Sequence, residues 1–351
     1  MLSSGVIGCG QNDRCPVCPG LQKHRDLLSA TFEKWPLAQF SIRIPNVVEN
    51  PDDGRSPDWR TSIELARIAD RVGVDRIVVS DHILLGEQLD AYGDPAMGGT
   101  LGGRQPTSPD GHWLEPLTML SVLAALTERV RLGTAILLAA LRPPALLAKQ
   151  AATLDVLSGG RLDLGVGVGW QREEYEACGL NFEDRGRLLD RCLELCDRLW
   201  SERSVDVVDG DLRFDQVHQM PKPLQPNGVP IWVSGRANPR VIARTARFGV
   251  GWIPWGDDAV DPEPGIDAIR SVFSQMGRDP NSLQVQGRLP VVESDGRIDI
   301  EATMAAVPAL VSKGITDFRL YGHLGGDPEA DEALLGDIVE AFRGTVGRQD
   351  S

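Results

Sequence analysis

Residues 154–170 read Leu154-Asp155-Val156-Leu157-Ser158-Gly159-Gly160-Arg161-Leu162-Asp163-Leu164-Gly165-Val166-Gly167-Val168-Gly169-Trp170. The period changes once within this stretch. Leu147, Ala151, Leu154 and Leu157 recur at helical spacing, and Pro143 and Pro144 suit the first turn of that helix. Ser158-Gly159-Gly160 stops it, and Arg161 to Val166 then reads as a strand. Three glycines alternate at the strand's end, so one face carries no side chains. A flat ring system can lie on such a face, with Trp170 closing one side. Tight packing of a neighbouring chain would need the same glycines.

The helix-to-strand unit repeats in both directions. Upstream, strands are predicted at 40–44, 76–80 and 130–138, with helices at 59–72 and 115–127. Ile77-Val78-Val79 is a β-branched run of the kind buried on both faces. Gly73 stands where a helix C-cap is wanted. Downstream, a helical region covers 171–200. Strands are predicted beyond it at 230–234, 249–253, 283–291 and 315–321, with helices at 239–247, 262–276, 300–313 and 329–344.

Strands alternating with helices give an α/β fold with a parallel sheet. An open doubly wound sheet and a closed (β/α)8 barrel share this alternation. No Gly-x-Gly-x-x-Gly opens a helix after an early strand, which weighs against a dinucleotide-binding domain. A barrel needs roughly 250 residues, and the chain has 351. The surplus falls in three places. Residues 83–113 form a Gly- and Pro-rich loop long enough to be a lid. Residues 205–217 read as an inserted hairpin turning at Asp209-Gly210. Residues 1–37 lack periodicity and read as an N-terminal extension or a start assigned too far upstream, leaving 38–348 for the barrel.

The net charge of −14 leaves no basic surplus for nucleic acid or an anionic membrane. A local site can still oppose the global sign. No apolar run approaches the roughly 18 residues that span a bilayer, and no signal-peptide layout opens the chain. A cytoplasmic protein is expected. Of six cysteines, Cys192 and Cys196 share a helix face with Leu188, Leu195 and Leu199 and read as core. Cys178 lies in a loop. Cys9, Cys15 and Cys18 with His24 are too loosely spaced for a zinc site, so no metal is expected.

In a parallel barrel, functional groups sit at the C-terminal ends of the strands. The second strand ends in Ser80-Asp81-His82, beside the long loop. Histidine there suits general acid–base work, and Asp81 would orient it or cap the next turn. A solvated loop histidine fits the same spacing. Gly133 inside the third strand signals close approach of a ligand or of another backbone. The fifth strand ends in Ser234-Gly235-Arg236, and Asn238 with Pro239 opens a helix. Free N–H groups, the helix dipole and Arg236 make a phosphate site there, or simply a capped helix with a surface arginine.

These strand ends, with Thr127-Glu128-Arg129-Val130-Arg131-Leu132-Gly133-Thr134 and the Gly-Val-Gly-Val-Gly-Trp run, resemble the luciferase-like monooxygenase superfamily. The likeness covers roughly residues 40–345 and is strongest to the deazaflavin-dependent branch. It implies a luciferase-like TIM barrel with an isoalloxazine-type ring at its C-terminal mouth. The implied cofactor is coenzyme F-420 (8-hydroxy-5-deazaflavin), with FMN as the alternative. By resemblance, Asp81 and His82 lie at the ring as the catalytic pair. A non-prolyl cis peptide falls on Ala135-Ile136 behind it. Val168, Gly169, Trp170 and Glu173 line the cofactor, and Ser234, Gly235 and Arg236 take its phosphate tail. Related sugar-phosphate dehydrogenases carry a catalytic Glu directly after the glycine run. Trp170 stands there instead and suits an aromatic or terpenoid-like substrate.

The reaction expected is hydride transfer between the deazaflavin and a small organic molecule, with His82 moving the accompanying proton. The alternatives are a two-component FMN monooxygenase using O2 and a flavin-binding protein without catalysis. A flavin or deazaflavin reductase and a second copy of the chain, forming a homodimer, are the expected protein partners.

Overall fold

A computed structural model describes residues 38–48, 58–97, 103–105, 107–210, 212–324 and 326–347. The expectations for residues 1–37, including Cys9, Cys15, Cys18 and His24, lie outside the described residues.

Eight parallel strands close into a barrel in sequential order. They are β1 (Gln39–Arg43), β2 (Arg76–Val79), β3 (Arg131–Thr134), β4 (Leu162–Val166), β5 (Ile231–Gly235), β6 (Gly249–Pro254), β7 (Gln284–Arg288) and β8 (Asp317–Leu320). Closure is direct: Phe40 of β1 registers with Phe318 of β8, and Ile42 with Ile77 of β2. This is the (β/α)8 barrel the alternation predicted.

Helices α1 (Arg60–Val72), α2 (Pro116–Leu126) and α3 (Pro144–Leu157) follow β1, β2 and β3. Gly73 ends α1 in the left-handed region at φ 87°. Leu147, Ala151 and Leu154 bury the inner face of α3, but Leu157 is 70% exposed and belongs to its outer face. The helical region after β4 is two helices, α4 (Arg172–Ala177) and α5 (Arg185–Ser201), separated at left-handed Gly179. Cys192 and Cys196 are buried on α5. Helices α6 (Pro239–Phe248) and α7 (Glu263–Gln275) follow β5 and β6. The helix expected at 300–313 divides into α8 (Ile300–Ala305) and α9 (Val307–Ser312). Pro308 has no N–H to continue the ladder there. Last, α10 (Pro328–Thr345) closes on the first helix, where Arg343 donates to the Gly73 carbonyl at 2.9 Å.

Two insertions behave as read. Val205–Asp209 and Leu212–Val217 pair antiparallel outside the barrel. In the long loop, His112–Trp113 pairs antiparallel with Val47–Val48 after β1, which ties the loop's end to the barrel mouth.

The barrel interior is charged. Arg76 of β2 bonds Asp163 of β4 at 2.9 Å and Asp317 of β8. Neither strand is adjacent to β2, so the guanidinium crosses the interior. Its stem passes over Gly133, where an added Cβ would sit 3.4 Å from it. Arg131 holds Asp163 from a second side at 2.7 Å. Burial acts to raise the Asp163 carboxyl, but Arg131 and Arg76 outweigh it and hold the group below its ordinary range. A carboxyl depressed in the fold contributes stability above its unfolded pKa, and loses it as pH falls through the folded value. Stability from this group should therefore be constant at neutral pH and decline below about pH 4. Thermal melts between pH 3 and 7 should show a shallower acid slope in Asp163→Asn than in wild type. Equal slopes would remove Asp163 from the acid response.

Candidate functional site

A cavity of about 370 Å3 opens at the C-terminal mouth of the barrel. His82 and Asp81 line it from the end of β2, and Ala135 and Ile136 from the end of β3. Val168, Gly169 and Trp170 follow β4, and Ser234 and Gly235 close β5. Four strand ends that lie far apart along the chain thus border one space. Glu173 and Arg236 are not on its wall.

His82 sits against the edge of Trp113, with ring centroids 4.7 Å apart, and Trp170 lies at 5.9 Å. Its Nδ1 is 3.2 Å from Glu174 Oε2. The other carboxylate oxygen of Glu174 accepts from the Ile83 N–H at 2.8 Å. A carboxylate accepts, so Nδ1 carries the proton in this pair and Nε2 is the ring's acceptor. Glu174 is buried. Glu173, the residue singled out by resemblance, instead packs on the loop. A Cβ added to Gly86 would lie 2.7 Å from its carboxyl carbon. Gln171 holds the same loop segment, accepting from Gly86 N–H and donating to the Leu84 carbonyl. The start of α4 therefore fastens both the imidazole and the root of the long loop.

Asp81 makes its hydrogen bonds away from His82. Its carboxylate accepts from the Leu138 N–H at 2.9 Å and from Arg142 Nη1 at 2.6 Å and Nη2 at 3.2 Å, and the side chain is fully buried. No oxygen faces His82. Asp81 braces the chain after β3 against β2 and is a positioning residue.

The glycine row is also occupied. A Cβ on Gly165 would meet the Thr134 carbonyl oxygen at 2.0 Å, one on Gly167 would meet Ile136 at 2.5 Å, and one on Gly169 would meet Leu138 at 2.7 Å. The missing side chains admit the chain leaving β3, where the Ala135–Ile136 peptide is cis. Strand β3 is accordingly four residues long, shorter than the 130–138 expected. Gly165→Ala should destabilise the fold by about 1–3 kcal/mol, since backbone must move to admit it. An unchanged denaturation midpoint would contradict this reading.

At the β5 end, Asn238 caps α6 by accepting from Arg240 N–H at 3.0 Å and Val241 N–H at 3.1 Å. The Ala237 N–H donates to Asp258 Oδ2 at 2.6 Å, and the Arg236 guanidinium lies over Gly256. One donor of the expected phosphate cradle already serves a carboxylate.

The model of the luciferase-like monooxygenase family matches residues 38–349. The chain belongs to this family. Among curated relatives, an uncharacterized protein of Mycobacterium tuberculosis is 28% identical over 284 residues, 78% of this chain and 90% of the relative. Among solved structures, an F420-dependent secondary alcohol dehydrogenase superposes with a TM-score of 0.64 at 17% identity, over 87% of this chain and 99% of that one. The oxygenating constituent of 3,6-diketocamphane monooxygenase from Pseudomonas putida, in complex with FMN, gives 0.67 at 14% identity, over 88% and 98%. At such identities these structures share the luciferase-like fold.

The part of this cavity lined from β7, β8 and β1 was not anticipated. Arg43 at the end of β1, Arg288 at the end of β7 and Tyr321 after β8 line it, together with Tyr92 and Gln105 of the long loop. The signal was present: Arg43 and Arg288 are the last residues of their strands. Strand-end reasoning applied to all eight strands finds them. Glu174 gave no such signal, because only the turn of α4 selects it over Glu173.

Proposed function

We propose that this chain is an oxidoreductase that moves a hydride between a deazaflavin (coenzyme F-420) and a small organic substrate, with His82 as proton donor or acceptor. The observation that carries the reading is the His82–Glu174 pair on the wall of a cavity that Ile136 and Gly169 also line. Ala135, Ile136, Val168, Gly169 and Trp170 would hold the ring, and Ser234 and Gly235 the phosphate-bearing tail. Trp170 Nε1 and both Gln105 amide atoms are buried without hydrogen-bond partners among the described residues, which supports a polar, ring-sized ligand here. When bound, the deazaflavin supplies the hydride acceptor or donor.

His82 Nε2 would take the proton from a substrate hydroxyl on oxidation, or return it to a carbonyl oxygen on reduction. Glu174 fixes the ring's tautomer and its aim. Trp113, Trp170 and the long loop exclude water from the reacting atoms. Asp258 competes for the Ala237 N–H, so Asp258→Asn should tighten binding of a phosphate-bearing cofactor by about three- to tenfold. Fluorescence titration of the variant checks this, and weaker binding would give Asp258 a supporting role instead.

A two-component FMN monooxygenase served by a separate flavin reductase is the second reading, favoured by the FMN-bound neighbour on the same barrel. Anaerobic turnover separates the two. The deazaflavin reading expects substrate-dependent bleaching or return of deazaflavin absorbance without oxygen. Product formed only with reduced FMN and O2 would support the monooxygenase.

A further inference from the structure

Arg43 and Arg288 line the cavity from the ends of β1 and β7, on the arc of the closed barrel that faces β3, β4 and β5. On this acidic chain half-buried Arg161 and Arg278 spend their donors on backbone carbonyls, while Arg76, Arg131, Arg142 and Arg244 each carry a carboxylate. Among the described residues Arg43 and Arg288 carry none. Arg43 donates one bond, to Ser80 Oγ at 2.8 Å, and its buried Nε has no partner. Arg288 stacks on Tyr321 with its guanidinium carbon 5.0 Å from the ring centre. Among the described residues the only carboxylate on the cavity wall, Asp81, is neutralised by Arg142. The arc of the mouth from β7 to β1 is thus a cationic end with open donors.

An aromatic corner borders the same cavity. Tyr92 meets Trp170 edge-on at 5.5 Å and Trp255 at 6.0 Å. Such faces suit a flat apolar body. Burial lowers the Arg43 guanidinium from its ordinary value, Tyr321 and Tyr92 oppose this, and Arg319 adds to it. An incoming anion relieves that cost.

We infer that the substrate is a flat organic acid whose carboxylate is gripped by Arg43 and Arg288 while its body lies along Tyr92, Trp170 and Trp255. This rests on the reading that the cofactor ring takes the β3, β4 and β5 side of the cavity. An anionic oxygen group is the shared chemistry, and the cofactor is its other source.

Calorimetric titration of the full chain with cinnamate and with neutral cinnamamide, with and without deazaflavin, tests the inference. Cinnamate should bind at least about tenfold tighter than the amide. The preference should vanish in Arg288→Gln and in Arg43→Gln, while deazaflavin affinity stays within about threefold. Arg288 is exposed, so its variant keeps the test open if Arg43→Gln misfolds. Equal binding of acid and amide, or a preference that survives in Arg288→Gln, overturns the inference. So does a loss of deazaflavin affinity in the variants, which would assign the arginines to the cofactor. An arginine-dependent preference for cinnamate in a chain that binds no deazaflavin would uphold the acid site and sink the cofactor reading instead.

Discussion

Replacing His82 with alanine is expected to leave deazaflavin affinity within a few-fold of wild type and to cut turnover by about 10²–10⁴-fold, the usual worth of a positioned acid–base group. The two effects separate because of where the residue sits. His82 closes β2, whereas the groups assigned to the ring and its tail come from β3, β4 and β5. Glu174→Gln should show a smaller loss in the same direction. The amide oxygen can still accept from Ile83, but the carboxylate that holds Nδ1 is gone. Steady-state kinetics beside a binding titration read both outcomes. Turnover unchanged in His82→Ala would remove the imidazole from the mechanism.

How much of this site was readable in the sequence depends on how each residue acts. His82, Gly169 and Ser234 were legible because their position at a strand's C-terminal end is itself the signal, whereas Ile136 came only from the family resemblance. Asp81 has the same position, yet its partner Arg142 lies 61 residues away, and nothing in the local sequence announces that bond. Glu173 and Glu174 differ only in the face of a short helix they occupy. Asp258 comes to Ala237 from the far end of β6, a contact that exists only once the barrel has closed. The glycine row was legible as a close approach, but what approaches is the protein's own β3 chain.

Arg76→Met should be the most damaging single change outside the site, destabilising the fold by about 3–5 kcal/mol. Arg76, Asp163 and Asp317 are almost fully buried, so removing the cation takes the shared counter-ion from two carboxylates that water cannot solvate. Arg131 still reaches Asp163 from the barrel's base. Asp317 keeps Ser41, with the Arg319 guanidinium 3.9 Å away. These remaining contacts set the loss near the middle of the range. Adding Asp163→Asn to Arg76→Met should recover part of the stability, because a buried charge goes with the cation. Chemical denaturation of the single and double variants measures both. A single-variant loss below about 1 kcal/mol would mean the interior is wet enough to solvate the carboxylates.

That network also marks the limit of pattern reading for the fold. Alternation and turn residues define the eight units and their order, because helical and strand periods respond to local burial. The β-branched run 77–79 signalled a buried strand, but Arg76 just ahead of it looked like a strand boundary and proved to be the barrel's central ion. Periodicity reports which face is inside, not whether the inside is apolar. The breaks at Gly179 and at Ala306 were equally hidden, since the helical period continues through both.

For the proposed function to hold, one cavity at the barrel mouth must receive a planar tricycle. Titrating the chain with deazaflavin, FMN and NADP, and following quenching of its tryptophan emission, tests this most directly, because Trp113, Trp170 and Trp255 line that cavity. Saturable quenching by deazaflavin, weaker quenching by FMN and none by the nicotinamide nucleotide is the predicted result. Saturable quenching by NADP with no response to either tricycle would contradict it.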